Sequence, residues 1–450
     1  MVSKKQIDTP LFERLVTSGD IAVLQTEDTA VKELRSEAFE YFKTNGFPSI
    51  KNEEWKFTNM IAFLKDDYML SGIEPVPTLA TLDEINTLID ERLNAVKETS
   101  IEKPYKIVLI NGFLSKELSV LPESADIKID ALNDAMQEKS FQNYFGKVVN
   151  IKDAANSFAA LNTALFANGL YIEVPKGEVI ETPIYLFNIV YADRPSFVQP
   201  RNLVVLHENS ELTIVESEID MTYGQVTFVN KVSEVVVKQN AHYHHYDLQI
   251  GTAGVRNVQR TEAIQHQHST YNNYTFTFPG SDVVRNNLTI HLDEANLENH
   301  LYGLYLIAGK QVTDNHTEIH HKFPNGESNQ LYKGVLLDQS KAVFNGKIIV
   351  YEDAQKTNAF QQSNNLLYST QATVNAKPQL EIFADDVKCS HGTTIGQMSE
   401  ESMFYLQSRG IGQESARKLM VNAFAFDVTQ KVKLAQLRAF LEDKIQATIN

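Results

Sequence analysis

The only cysteine of this 450-residue chain stands two residues before a histidine, in segment 385–391, whose sequence is DDVKCSH. In an extended strand, residues two positions apart project from one face, so Cys389 and His391 share a side. A thiolate and an imidazole on one face are a ligand pair suited to zinc or to an iron–sulfur species. Such sites take four ligands, so the others must come from another chain.

Two other interpretations of this cysteine stay open. One is a small buried hydrophobic residue beside a turn histidine, in a purely structural β-solenoid. The other is hydrolysis by a Cys–His pair, for which the sequence offers no identifiable third residue to orient His391.

A second constellation consists of two H-x-H pairs, His242 with His244 and His266 with His268. On strands, each pair would present two imidazoles to one metal ion, as in the metal site of cupins. The cupin pattern also places a glycine shortly before H-x-H and a glutamate shortly after it, and the residues around His242 lack both. We favour a solvated polar face here and keep a cupin-like metal-binding protein as the alternative.

Composition and missing motifs exclude several functions. The chain has 41 Lys and Arg against 57 Asp and Glu, a net charge of −16, so it lacks the basic excess that binds nucleic-acid phosphates. It has no Walker A motif, so any nucleotide hydrolysis belongs to a partner. No apolar stretch approaches the ~20 residues of a membrane helix. A lone cysteine, and no apolar run after Lys4 and Lys5, predict a cytoplasmic protein.

The hydrophobic pattern divides the chain into three regions. Residues 1–104 show helical periodicity, and residues 393–450 form a second helical region, with Ser399 as a predicted N-cap. Residues 105–392 contain many short β-branched and aromatic runs separated by turn residues, which predict a mainly β core. A β-solenoid and a pair of cupin barrels would both account for so many strands.

Six segments carry a family resemblance. They are residues 377–397 (KPQLEIFADDVKCSHGTTIGQ), 404–411 (FYLQSRGI), 328–334 (SNQLYKG), 344–350 (FNGKIIV), 353–357 (DAQKT) and 51–56 (KNEEWK). Together they resemble the SufB/SufD family of the SUF iron–sulfur cluster assembly machinery, and the SufD branch more than the SufB branch. The resemblance extends over nearly the whole chain. It implies a right-handed parallel β-helix flanked by N-terminal and C-terminal helical segments.

The resemblance also implies partners. A chain of this kind is a non-enzymatic scaffold that pairs with SufB through the end of its β-helix and docks the ATPase SufC with its C-terminal helices. The positions matching Cys389 and His391 lie at the SufB–SufD interface, and the matching histidine is tied to nascent cluster formation. We therefore expect an Fe–S cluster intermediate in the complex and no cofactor on the isolated chain. Reduced flavin is associated with the complex, but no segment resembles a flavin site. When SufB is absent, the formation of a homodimer remains an alternative.

Overall fold

The structure is a computed structural model that describes residues 9–24, 28–70, 77–122, 127–152 and 156–449. Over these residues the chain is mainly β, a solenoid of about eight turns with helices at both termini. The predicted fold class, a parallel β-helix between helical segments, is confirmed. Lys4 and Lys5, used in the argument against a signal sequence, lie outside the described residues. No helix in the described ranges has the length and apolar character needed to cross a bilayer.

Eight α-helices occur in the described residues: α1 (Pro10–Leu24), α2 (Thr29–Asn45), α3 (Leu79–Val96), α4 (Lys139–Tyr144), α5 (Ser157–Leu165), α6 (Glu400–Ser408), α7 (Gln413–Thr429) and α8 (Ala435–Thr448). Two short 3₁₀ helices cover Glu53–Trp55 and Met60–Phe63. The predicted N-cap is confirmed, because the Ser399 side chain accepts a hydrogen bond from the Ser402 amide at 3.1 Å. Gly410, just after α6, has φ +85°, a conformation that favours glycine.

The strands are short and numerous, as the sequence predicts. In the described residues they are β1 (Met69–Leu70), β2 (Tyr105–Ile110), β3 (Phe113–Leu114), β4 (Lys128–Ala131), β5 (Leu170–Val174), β6 (Ile184–Tyr191), β7 (Ser196–Val198), β8 (Arg201–Leu206), β9 (Glu211–Met221), β10 (Thr227–Val237), β11 (His242–Gln249), β12 (Val255–Gln265), β13 (Thr270–Thr277), β14 (Val283–Leu292), β15 (Glu298–Ile307), β16 (Val312–His321), β17 (Glu327–Leu336), β18 (Lys341–Val350), β19 (Asn358–Leu367), β20 (Thr373–Ile382) and β21 (Lys388–Gln397). The predicted boundary at residue 392 falls inside β21.

The strands form two sheets that run along the solenoid. Sheet A follows the order β20-β18-β16-β14-β12-β10-β8-β5-β4, with β1 and β7 beside it, and sheet B follows β21-β19-β17-β15-β13-β11-β9-β6-β2-β3. From β5 and β6 onward, successive coils pair in parallel and in register. Side chains alternate between the lumen, which lies between the sheets, and the outer faces. Strands β20 and β21 form the last coil, so no further coil of the chain covers them.

Six successive coils turn from sheet A to sheet B through a non-glycine residue with left-handed backbone. Asparagine tolerates this conformation because its short side chain hydrogen-bonds locally. The turn residues with φ near +60° at this corner are Asn209, Asn240, His268, Asn296, Asn325 and Lys356.

A buried carboxylate fastens the segment after α4 to sheet A. The Glu234 side chain accepts hydrogen bonds from the amides of Gly146 (2.8 Å), Val148 (3.0 Å) and Val149 (3.0 Å). It also pairs with Arg201 Nη2 at 2.9 Å, and both side chains are fully buried. This carboxylate therefore links the segment after α4 to strands β8 and β10 of the first coils.

A second attachment joins the segment that carries the only tryptophan to the outer face of sheet A. The Arg285 guanidinium lies 3.6 Å from the centre of the Trp55 ring and donates to the Glu54 carbonyl at 2.9 Å. Further along, Lys377 on β20 forms a 2.7 Å ion pair with Glu53. The N-terminal region thus reaches the last coil.

We predict that Glu234→Gln lowers the free energy of unfolding by about 3–5 kcal/mol, because it leaves the Arg201 guanidinium buried without its counter-charge. The change is measurable by urea denaturation against Glu352→Gln, which alters an exposed turn residue. A loss below ~1 kcal/mol, comparable to a surface substitution, would contradict this role.

Candidate functional site

Cys389 and His391 lie on β21, the outermost strand of sheet B. Their register partners on the preceding coil are Ala359 and Gln361. Cys389 packs against the apolar lumen and is half-buried, whereas His391 is exposed. Strand alternation places both residues on the lumen side, where the last coil is open. The pair is therefore presented at the end of the solenoid.

A buried polar column leads through the lumen to His391. Gln361 is 3% exposed, and its Nε2 donates to Gln330 Oε1, one coil earlier, at 2.7 Å. The other amide atom, Gln361 Oε1, is buried without a hydrogen-bond partner among the described residues. An acceptor is thus available at the level of His391. Sequence reasoning missed this column, although the two glutamines are 31 residues apart, the length of one coil.

The Cys389 thiol is less acidic than a free cysteine. Partial burial raises its pKa, and a hydrogen bond from the Ala359 backbone opposes this shift to a smaller extent. Since the thiolate is the nucleophile and the metal ligand, Cys389 is a weak ligand until it loses its proton. The exposed imidazole of His391 is the more accessible of the two groups.

A groove on the outer face of sheet B reaches the same strand. Its volume is about 600 Å³, and it runs from His300 and Tyr302 past Phe360 to His391, with Lys431 from the α7–α8 connection beside it. His391 is thus one of the residues that line this groove.

The open end combines strand edges with exposed apolar side chains. Phe383 is 62% exposed, Ile395 47%, Phe360 43% and Ile382 41%. Unpaired strand edges next to large apolar side chains are a template for pairing with another chain. This surface is therefore a candidate protein interface.

The C-terminal helices differ in how they pack. Helices α7 and α8 cover the outer face of sheet B through a shared apolar cluster, and Lys333 Nζ donates to the Phe424 carbonyl at 2.8 Å. By contrast, none of the side chains of α6, all within the described part of the chain, is buried. Phe404 and Tyr405 on α6 are 73% and 57% exposed. Helix α6 therefore presents a second apolar surface.

The cupin-like alternative is wrong. His242 and His244 do lie on one face of β11, but His266 and His268 lie in the turn after β12, which belongs to the other sheet. His266 instead contacts Lys238 and Glu294, at 3.1 and 3.0 Å. The sheets are those of a parallel solenoid, whereas cupins are double-sheet jelly rolls.

Within the described ranges, no group of three or more His, Cys, Asp or Glu side chains is arranged to hold a metal ion. Cys389 and His391 are only two potential ligands. A four-coordinate metal species at this pair would need two further ligands.

Family comparison agrees with this arrangement. The family described as the SUF system FeS cluster assembly SufBD core domain matches residues 189–424, which include most of the solenoid. The SufBD protein N-terminal region matches residues 12–186. The chain belongs to the SufB/SufD family.

Individual members of the family align over most of this chain. An iron–sulfur cluster assembly SufBD family protein of Synechocystis is 32% identical over 442 residues, covering 96% of this chain and 92% of the relative. SufD of Escherichia coli is 28% identical over 86% of each chain. SufD of Bacillus subtilis is 27% identical over 93% of this chain and 95% of its own length. The chain is thus homologous to proteins of iron–sulfur cluster assembly.

We predict that alkylation of Cys389 in the folded protein is slow at neutral pH and rises about tenfold per pH unit, because the raised pKa keeps the thiol protonated. The rate should still be rising above pH ~8.5, where a free thiol levels off. As Cys389 is the only cysteine, the urea-denatured chain is a direct control. Identical profiles for the folded and denatured protein would show that burial does not control the thiol.

Proposed function

We propose that this chain is a non-catalytic scaffold subunit of iron–sulfur cluster assembly. In this proposal it pairs with SufB through its open last coil, and Cys389 and His391 face the junction between the two chains. The cluster under construction is the product of the complex, and ligands from SufB complete its coordination. ATP hydrolysis is supplied by SufC, which docks on the C-terminal helices.

The observation that carries the proposal is the position of the Cys389–His391 pair on the outermost strand of a solenoid whose end is open. A similar solenoid placed against β20 and β21 would satisfy their free backbone groups and cover the exposed apolar side chains. It would also bring new side chains to the lumen opening where His391 stands. The incomplete ligand set and the incomplete surface therefore occur together.

His391 is the more important residue of the pair in this proposal. It is exposed at the opening, and the unpartnered Gln361 Oε1 belongs to its register partner. Cys389 is half-buried, and burial raises the pKa of its thiol.

We predict that His391→Ala reduces cluster formation by at least about tenfold, since the loss of even an outer-shell group weakens metal sites by that factor. The measurement is iron and acid-labile sulfide bound by the complex purified with SufB and SufC. His242→Ala, a histidine on the same sheet far from the open end, is the matched control.

Gel filtration of both variants distinguishes a lost ligand from a lost complex. The proposal requires an intact His391→Ala complex with little cluster. A normal cluster yield in that intact complex would remove His391 from the site.

The docking surface for SufC is tested separately. We predict that Phe404→Asp weakens SufC binding by about 2 kcal/mol, roughly thirtyfold, because a charge replaces an exposed apolar anchor. Folding should be unaffected, since Phe404 is 73% exposed. Leu79→Asp is the control, because Leu79 is an equally exposed apolar residue on α3 (79%). Unchanged SufC affinity of the Phe404 variant in a binding titration would exclude α6 from the interface.

A further inference from the structure

A polar cleft lies on the outer face of sheet A, away from the Cys389–His391 strand. Its floor is built by outward-facing side chains of β12, β14, β16 and β18, and Glu54 from the tryptophan segment forms one wall. The cleft volume is about 240 Å³. This exceeds the ~30 Å³ that one water occupies and is smaller than the ~300–1,000 Å³ of sites for drug-sized ligands. The size therefore fits a small metabolite.

The cleft carries charges of both signs. Arg260, Arg285 and Lys347 line it from β12, β14 and β18, and Glu54 and Glu318 line it as well. Arg285 is already paired with Asp314. Arg260 donates to Glu262 Oε1, outside the cleft, through Nε at 2.7 Å and Nη2 at 2.5 Å, and Nη2 also donates to Thr289 Oγ1 at 3.4 Å. Among the described residues, only its Nη1 has no partner. Lys347 Nζ is 3.1 Å from Glu381 and 3.9 Å from Glu318, and 30% of its side chain is exposed. Arg260 and Lys347 thus keep N–H groups for a ligand.

The two carboxylates, Glu54 and Glu318, also have few hydrogen-bond partners. Glu54 Oε2 is 3.2 Å from His316 Nδ1 and accepts from Asn345 Nδ2 at 3.0 Å. Glu318 Oε1 lies 3.2 Å from His320 Nε2. The pKa of Glu318 is lowered, chiefly by the hydrogen bond from His320, with the charges of Lys347 and Arg260 acting in the same direction. Glu318 is therefore ionised at neutral pH.

One buried acceptor in the cleft lacks a donor. Asn345 is 6% exposed, and its Nδ2 is used by Glu54, whereas its Oδ1 has no hydrogen-bond partner among the described residues. A buried amide oxygen without a donor destabilises the folded protein, because it has lost its hydrogen bonds to water and gained none in return. A ligand with N–H groups would satisfy it.

We propose that this cleft binds a small zwitterion of the α-amino-acid type, with its carboxylate held by Arg260 and Lys347 and its ammonium group held by Glu318 and Asn345 Oδ1. A simple anion would meet the two carboxylates, and a simple cation would meet the arginine and the lysine. A ligand with both charges gives Arg260 and Lys347 an acceptor and gives Glu318 and Asn345 Oδ1 a donor. The site is independent of the proposed role in cluster assembly.

The test uses the purified full-length chain without partners. Isothermal titration with a panel of proteinogenic amino acids, inorganic phosphate and myo-inositol should give saturable one-to-one binding for at least one amino acid. That binding should be at least about tenfold tighter than for phosphate or inositol, since neither of these can make the charge-assisted hydrogen bonds of both ends of an amino acid.

Variants then place the ligand. Lys347→Gln and Glu318→Gln change partly exposed side chains and should each weaken binding about tenfold or more. Lys310→Gln and Glu352→Gln make the same changes at exposed turn positions and should leave binding unchanged. The proposal is overturned if no amino acid binds, if phosphate binds as well as the best amino acid, or if binding survives both cleft variants. Because SufB and SufC are absent, none of these outcomes bears on cluster assembly.

Discussion

A strand of a parallel β-helix satisfies its backbone hydrogen bonds only through the coils on either side of it. This constraint fixes most of what is distinctive here. Interior strands such as β15 and β16 are paired along both edges, and their lumen side chains are covered from both directions. The last coil, β20 and β21, is paired along one edge. The exposure of His391, the partial burial of Cys389 and the uncovered apolar rim all follow from that one open edge.

The N-terminal region braces the outer face of sheet A along much of its length. Glu234 binds the segment after α4 near the first coils, and Trp55 packs on Arg285 further along. The ion pair of Glu53 with Lys377 extends this attachment to β20. Backbone and charged groups at distant points of the sequence therefore keep the last coil in place, although half of its hydrogen-bonding capacity is unused. The same face retains a cleft because the tryptophan segment covers only part of the sheet.

Local sequence patterns predicted the helices and strands, whereas the surroundings of Cys389 and His391 depend on how residues pair between coils. The β-branched runs gave the strands, Ser399 was the expected N-cap, and alternation put Cys389 and His391 on one face. The residue-by-residue register between coils was not predictable, because each residue pairs with one a whole coil away while lumen positions change from aliphatic to polar. The residues next to Gln361 in the sequence therefore do not indicate that it is the register partner of His391. The left-handed turn residues, such as Asn296 and Asn325, recur at the same corner of six coils, and their spacing is the sequence signal for the coil length.

The two ends of the solenoid are unlike, and this sets a limit on assembly. At the N-terminal end the sheets finish in β3 and β4, short strands that pair antiparallel and offer little edge for further growth. At the other end lies the full-length edge of the last coil. When two such solenoids pair through their last coils, each uses its full-length strand edge. The outer ends of the pair then carry only the short antiparallel strands. Association of this kind stops at a closed pair instead of continuing as a filament.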